Sequence, residues 1–386
     1  MLSVPVATPS RTYEVLIGSG LLGRAAEALG KILGNRRVFI VTVPPVRRRW
    51  AKVLLKSLAG ASIKAEVLEM SDGERSKRLV TLEKLADKLI KHGADRDVTL
   101  IALGGGVVCD VTGFLASIYM RGVDVIQVPT TVLAQVDAAI GGKTGVNLVS
   151  GKNLLGTFHQ PRAVLIDPSV LETLPSREYH AGLYESLKCG IIGDPGLFRV
   201  FEEKRRELLD RDPAVVEKVI LDSVRLKAAV VSADEREGGS RQVLNLGHTI
   251  GHALEAETGY TKLLHGEAVA WGMIAATHIA LSTGKLDSVT AGRITNAILG
   301  FGRLPRMNWQ SQNIIKRLSS DKKTRRGLVH FILPREIGRV EITSDVPESI
   351  VRAAVDEIRK LARNYERHPR INDSRINDPR INDSRN

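Results

Sequence analysis

Residues 241–267 read RQVLNLGHTIGHALEAETGYTKLLHGE, and the polar members of this run recur at intervals that matter on a helix. Arg241, Asn245, His248 and His252 follow one another by four, three and four residues. A helix here predicts one face carrying all four, able to hold a cation and an anion side by side. His265 follows at the expected start of an apolar helix over 268–280, and Glu185 offers a carboxylate from the earlier segment Gly182-Leu-Tyr-Glu-Ser-Leu-Lys188. Two or three imidazoles, one carboxylate and an open position make up a catalytic zinc site. Spacing alone also suits ordinary hydrogen-bonded histidines, so the rest of the chain has to decide. One chemistry is excluded at once: no glutamate directly follows His248, as a zinc-protease helix requires.

Two glycine-rich stretches supply a different chemistry. An apolar run over 98–103 leads into Gly104-Gly105-Gly106 and then Val107-Val108-Cys109-Asp110, the pattern of a strand, a turn and a helix start. Backbone without Cβ atoms lets a ligand approach, and the N–H groups of a helix start favour phosphate oxygens, so this turn is a candidate pyrophosphate cradle. It lacks the six-residue dinucleotide fingerprint, and a glycine triplet also serves as a plain tight turn. Further on stand Pro129-Thr130-Thr131, Asp137, Gly141-Gly142-Lys143-Thr144-Gly145 and Gly151-Lys152-Asn153. Gly-Gly-Lys-Thr is without the leading spacing of a P-loop, which disfavours ATP hydrolysis. Asp137, Lys143, Lys152 and Asn153 on or near glycine turns suit the hydroxyls and phosphate of a sugar-like ligand, with ordinary turn chemistry as the alternative.

The elements that must position these groups divide the chain. At 386 residues it exceeds one ordinary core. Short apolar runs over 37–42, 65–69, 98–103, 125–128 and 163–167 alternate with amphipathic stretches, which predicts a mainly parallel sheet with helices on both faces. Beyond about residue 175 long helical patterns take over, at 213–233, 243–258 and 268–283, and strand signals return only at 327–333. The expected organisation is therefore a Rossmann-like α/β domain over 1–176 and a mostly α-helical metal and substrate domain over 177–365. Residues 366–386 carry a polar Arg-Ile-Asn-Asp repeat of period five, which matches neither helix nor strand and is expected to be a disordered tail.

Composition narrows the partners. Apolar residues at 43% and charged residues at 26% describe a soluble globular chain, and no window approaches a membrane span. The start lacks a signal-peptide pattern, so a cytoplasmic address is expected. The only cysteines, Cys109 and Cys189, lie in apolar surroundings and read as buried reduced thiols. The net charge of +13 would admit nucleic acid, but the basic residues are scattered, aromatics are 4%, and no nucleic-acid motif is present. A small anionic substrate is the better match.

Taken in order, these segments resemble the 3-dehydroquinate synthase family of sugar-phosphate cyclases. The likeness rests on Asp72-Gly-Glu-Arg-Ser-Lys77, Leu103-Gly-Gly-Gly-Val-Val-Cys-Asp110, Arg121-Gly, Pro129-Thr-Thr, the stretch from Asp137 to Lys143, and Gly151-Lys-Asn153. It continues through Glu185 to Lys188, Asp234-Glu-Arg-Glu237, Leu244-Asn-Leu-Gly-His248, His252, Leu264-His-Gly-Glu267 and Asp321-Lys-Lys323, and so spans roughly residues 12–360. The resemblance implies conversion of 3-deoxy-D-arabino-heptulosonate 7-phosphate to 3-dehydroquinate and phosphate, with NAD+ and Zn2+ or Co2+. The implied steps are transient oxidation, β-elimination of phosphate, re-reduction and an intramolecular aldol closure. It implies Glu185, His248 and His265 as metal ligands and places His252 on the substrate side. Asp137, Lys143, Lys152, Asn153, Lys188, Lys227, Arg241, Asn245 and Lys322 would meet the substrate, and Arg121 would reach the partner subunit of a homodimer. Asp72, Glu74, Lys77, Gly105, Gly106, Val107, Asp110, Thr130, Thr131, Lys143, Lys152, Thr173 and Glu178 would contact or adjoin NAD+.

One departure stands out. The family commonly carries an acidic residue and an asparagine after the first strand, near the adenosine ribose, where this chain has Val41-Thr-Val-Pro-Pro-Val46. Without a carboxylate for the ribose hydroxyls, weaker NAD+ binding is expected than in relatives that have one. Other sugar-phosphate cyclases and metal-dependent polyol dehydrogenases share a similar architecture, and an aminodehydroquinate synthase would share nearly all these residues. Arg241 with Asn245 suits a carboxylated substrate and favours dehydroquinate formation.

Overall fold

The computed structural model describes residues 1–301, 304–324 and 328–364; the repeat tail at 366–386 lies outside them. Nine strands fall in the first half: β1 (Leu2–Ala7), β2 (Thr12–Ile17), β3 (Val38–Thr42), β4 (Ala65–Glu69), β5 (Thr99–Gly104), β6 (Asp124–Pro129), β7 (Lys143–Leu148), β8 (Gly151–Phe158) and β9 (Ala163–Ile166). Seven of them form one sheet in the order β1-β2-β9-β6-β5-β3-β4, parallel throughout except for the β1–β2 hairpin.

The expected two-faced sheet is written in the alternation of its side chains. Along β3, Phe39 and Val41 join one apolar cluster while Val38 and Ile40 join another; along β5, Leu100 and Ala102 part from Ile101 and Leu103 in the same way. Period-two alternation between two apolar layers requires cover on both faces. Leu82, Leu85 and Leu89 of the helix Leu79–Lys91 and Val111 of Gly106–Ile118 cover the first. Leu29 and Leu33 of Ala25–Leu33 and Leu54 and Leu58 of Lys52–Gly60 cover the second.

From Ser176 onward helices dominate, ending in the antiparallel pair β10 (Phe331–Glu336) and β11 (Arg339–Thr343) and the helix Glu348–Asn364. The largest apolar cluster runs from Val4, Tyr13 and Ile17 of the first hairpin through Val224 and Val231 of Pro213–Ala233 to Leu187 and Trp271. The two halves therefore share a core. Helix Pro213–Ala233 begins where the sequence predicts, because Asp212 caps the N–H groups of Ala214 and Val215, both at 3.0 Å, with proline at the first helical position.

Two expectations need correction. The single helix predicted over 243–258 is broken: Ser240–Asn245 is a short 3₁₀ segment, Gly247 turns left-handed at φ 81°, and a new helix runs His248–Glu257. A Cβ on Gly247 would stand 2.6 Å from the Val269 carbonyl, so the break is set by close packing on the next helix. Arg241 and Asn245 thus do not share a helix face with His248 and His252. The glycine clusters at 141–145 and 151–153 were expected as turns; Gly141 and Gly142 do have positive φ, but residues 143–158 form the antiparallel hairpin β7–β8, with Gly145 opposite Gly156. The cysteines are as expected: both are buried and unpaired, and burial pushes both thiols up, that of Cys189 to about 12. Among the described residues, no helix is long and apolar enough to cross a membrane.

Candidate active site

Three helices meet at the metal candidates. Glu185 lies within Ser176–Ile192, His248 begins His248–Glu257, and His265 begins His265–Ser282. They approach closely because glycines line the contacts: a Cβ on Gly266 would stand 1.8 Å from the Ala181 carbonyl, and one on Gly272 1.8 Å from that of Gly247. Oε1 of Glu185 is 3.6 Å from His265 Nε2 and 3.9 Å from His248 Nε2. Two donors held tetrahedrally at about 2.1 Å from one ion stand roughly 3.4 Å apart, so this trio fits a single divalent cation.

Electrostatics favour the same conclusion. The Glu185 side chain is 1% exposed and, among the described residues, its Oε1 has no hydrogen-bond partner, a costly arrangement for a buried oxygen unless a donor or cation meets it. Oε2 is paired with the Lys188 ammonium. Burial, with Lys188 and the other two imidazoles adding to it, holds His248 well below its ordinary pKa, so it is a neutral ring ready to donate a lone pair. His252 also lies in the cluster, its donor atom within 4.8 Å of those of His248 and His265, but it is exposed. A trio completed by His252 instead of Glu185 would leave the Glu185 Oε1 atom unmet. The His252 ring packs against those of His248 and His265 and reaches the surface.

Around this centre lies a chain of charges. Burial opposes protonation of His265, yet the Glu255 carboxylate, 3.2 Å from its Nδ1, and Glu185 raise it. The other Glu255 oxygen holds Lys152 at 3.0 Å. Lys227 donates to the Asp137 carbonyl at 2.6 Å and to its carboxylate. Burial opposes ionisation of Asp137, but Lys227 and Lys188 hold it well below the usual carboxylate range. Glu237 gathers two further candidates, Lys143 at 2.5 Å and the Asn245 amide at 2.9 Å. Arg241 is 1% exposed, its terminal nitrogens donating to the carbonyls of Glu235 at 2.5 Å and Gly141 at 3.0 Å, and among the described residues its Nε has no hydrogen-bond partner.

The second group of candidates collects at the C-terminal ends of the strands. The helix Gly106–Ile118 opens on Gly105 without a side-chain cap, leaving its first N–H groups for a ligand. A Cβ on Gly105 would lie 3.0 Å from Thr131 Cγ2, and the Thr130 amide donates to the Gly104 carbonyl at 2.9 Å, so Thr130 and Thr131 wall this turn. Gly106, Val107 and Asp110 follow on the helix, half-buried. Lys77 bridges Asp110 at 2.5 Å and the side chain of Asn153. Glu74 accepts from Asn147 at 2.7 Å and lies 3.9 Å from Lys152, tying this group to the first. The uncapped helix start and the close backbone fit the pyrophosphate of a dinucleotide.

Other candidates stand apart. Asp72 is exposed and accepts from the Gly73 amide at 2.7 Å. Thr173, which accepts from the Trp50 indole at 3.3 Å, and Glu178 are exposed at the rim. Arg121 is exposed beyond the far end of the 13-residue helix Gly106–Ile118, about 20 Å from the glycine turn at its start. The side chain of Lys322 lies outside the described residues. Sequence reasoning assigned nothing to Glu255 or Glu237. The helical spacing of Glu255 from His252, three residues on, and the acidic run Asp234-Glu-Arg-Glu237 were the available signals.

Comparison with known proteins agrees over both halves. Residues 67–181 match the family described as 3-dehydroquinate synthase N-terminal, and residues 182–324 that described as 3-dehydroquinate synthase C-terminal. A 3-dehydroquinate synthase of Koribacter versatilis is 53% identical over 363 residues, covering 94% of this chain and 99% of the relative. One of Solibacter usitatus is 50% identical over 352 residues, covering 91% and 98%. Among solved structures, a 2-epi-5-epi-valiolone synthase of Streptomyces hygroscopicus with NAD+ and Zn2+ bound superposes with TM-score 0.84 at 30% identity, covering 92% of this chain and 98% of that one. A 2-deoxy-scyllo-inosose synthase complexed with carbaglucose-6-phosphate, NAD+ and Co2+ gives 0.81 at 26%, covering 92% and 99%. The chain belongs to the 3-dehydroquinate synthase family.

Proposed function

We propose that the chain converts 3-deoxy-D-arabino-heptulosonate 7-phosphate to 3-dehydroquinate and phosphate in the cytoplasm, as a homodimer. The observation that carries the reading is the buried, unpartnered Glu185 Oε1 turned toward the Nε2 atoms of His248 and His265, beside an uncapped glycine turn. Residues 1–176 would hold NAD+, with its pyrophosphate on Gly105, Gly106 and Val107. Residues 177–365 would hold Zn2+ or Co2+ on Glu185, His248 and His265. When bound, NAD+ supplies reversible hydride acceptance and the cation supplies Lewis acidity at a substrate hydroxyl.

The chain's own residues bind and orient. Arg241 is a buried cation whose side-chain hydrogen bonds, among the described residues, go to carbonyls, so its charge suits a substrate carboxylate, with Asn245 beside it on Glu237. Lys143, Lys188, Lys227 and Asp137 suit the hydroxyls and negative charge of the sugar. Lys152, Asn153 and His252 suit the phosphate, and holding its oxygens over the neighbouring C–H would let the leaving group take that proton itself. This accounts for a site without a dedicated base. Arg121, exposed and remote from the other groups of its own chain, suits the partner subunit's site.

Phosphate release from the heptulosonate phosphate is the direct test. Release that needs both NAD+ and a divalent cation, and that stops with chelator, is the expected result. Release indifferent to both would refute the assignment. Identification of the carbocyclic product separates this reading from aminodehydroquinate formation.

A further inference from the structure

The sheet has one topological switch point. From β3 the chain passes to β4 on one side, and from β5 it passes to β6 on the other, so a crevice opens outside the C-terminal ends of the adjacent strands β3 and β5. The two strands deliver different things to it. After β5 come the glycines at 104–106; after β3 come Val43-Pro44-Pro45-Val46-Arg47-Arg48-Arg49-Trp50.

In dinucleotide sites the strand beside the glycine strand commonly ends in a carboxylate. It accepts hydrogen bonds from the ribose hydroxyls and repels a phosphate on the 2′ oxygen, whereas an arginine nearby receives that phosphate. This chain has the second arrangement. Val43 is 4% exposed and packs into the sheet's apolar layer with Phe39 and Met70, so its side chain offers the ribose nothing. One turn later Arg47, whose amide donates to the Val43 carbonyl at 2.9 Å, carries its guanidinium to Glu69 Oε2 at 3.2 Å, over the C-terminal end of β4. That is the side of the crevice away from β6. Arg47, Arg48 and Arg49 are all exposed. Glu69, the acid Arg47 meets, is in an exposed pair of the kind that gives way readily. The nearby acids Asp72 and Glu74 are engaged with the Gly73 amide and the Asn147 amide.

We propose that Arg47, standing where a ribose-binding carboxylate is missing, makes this nucleotide site accept a 2′-phosphorylated dinucleotide, NADP+, as well as NAD+. The inference rests on the proposed placement of a dinucleotide at the glycine turn. It adds a specificity-determining residue to that site, and its charge does the selecting.

Calorimetric titration of the full chain with NAD+ and with NADP+ tests it without any turnover. Both nucleotides bind, with dissociation constants within about threefold of each other. In Arg47→Ala the NADP+ constant rises by about tenfold or more while that for NAD+ stays within about twofold. Arg47→Glu widens the gap further. Because Arg47 is exposed, both variants fold, and far-ultraviolet dichroism checks this. Tight NAD+ binding with NADP+ more than about thirtyfold weaker overturns the inference and leaves the dinucleotide site standing. An unchanged ratio in Arg47→Ala also overturns it. Binding of neither nucleotide overturns the placement itself and this inference with it.

Discussion

Glu255 holds His265 with one carboxylate oxygen and Lys152 with the other, and so joins a proposed metal ligand to a proposed phosphate contact. Burial opposes its ionisation, but the hydrogen bond from His265 and the charge of Lys152 bring the carboxyl down to about 2. An acceptor on the far nitrogen of a ligating imidazole fixes the tautomer and the ring's aim. Replacing it with Gln is expected to lower affinity for the divalent ion by roughly 10–100-fold, read by chelator competition. Glu185→Gln, His248→Ala and His265→Ala should each abolish metal stoichiometry in elemental analysis. His252→Ala should keep the metal and lose rate. A metal-free His252→Ala protein with a metal-replete Glu185→Gln protein would reverse the two roles. The spacing of Glu255 from His252 shows only that the two are neighbours on a helix; its role was not legible, because what defines it is a tertiary contact with a histidine from the next helix.

At the scale of elements, the site depends on how closely three helices can lie. Gly266 is where His265–Ser282 touches Ser176–Ile192, and a methyl group there would meet the Ala181 carbonyl at 1.8 Å, inside any permissible contact. Backbone cannot give as a side chain can, so Gly266→Ala is expected to destabilise by about 3 kcal/mol and to lose metal, measured by denaturant unfolding and elemental analysis. Five of the sheet's seven strands were legible to within a residue or two, since β3, β5 and β9 are buried on both sides and show as uninterrupted apolar runs, whereas the first hairpin, β1 and β2, alternates buried and exposed residues and was not expected. The helix over 213–233 was legible from its cap and period. The break at Gly247 was not, because the helical pattern runs through it and only the packing of Val269 and Met273 shows that a left-handed residue must stand there. Hairpin β7–β8 escaped notice for the opposite reason: glycines at 145, 151 and 156 look like turns until strand pairing brings two of them face to face.

For the whole molecule, the exposed end of the helix Gly106–Ile118 is the place to look for a second copy. Met120 and Arg121 both have positive φ, 49° and 69°, and Ile118 and Met120 expose about half their surface. Strained backbone in ordinary residues persists where surroundings over-determine it. A partner subunit covering this end would do so and would bring Arg121 to the partner's cleft. Sedimentation is expected to give the mass of a dimer, with Ile118→Glu shifting it toward monomer and lowering turnover while metal content is kept. A fully active monomer would remove Arg121 from the site.

The position of β9 bears on how such a chain is born. It pairs with β2 on one side and β6 on the other, and is the only strand joining the first hairpin to the rest of the sheet. During synthesis from the N-terminus, the strands before residue 163 have native partners only within two separate sheets, and β9, the seventh strand of the framework, closes them together. Val6 and Val15 find their remaining apolar neighbours later still, when the helix carrying Val231 emerges. A ribosome stalled before that point leaves a sticky, incomplete fold, which makes the midpoint of translation the moment at which this protein most needs shielding from its neighbours.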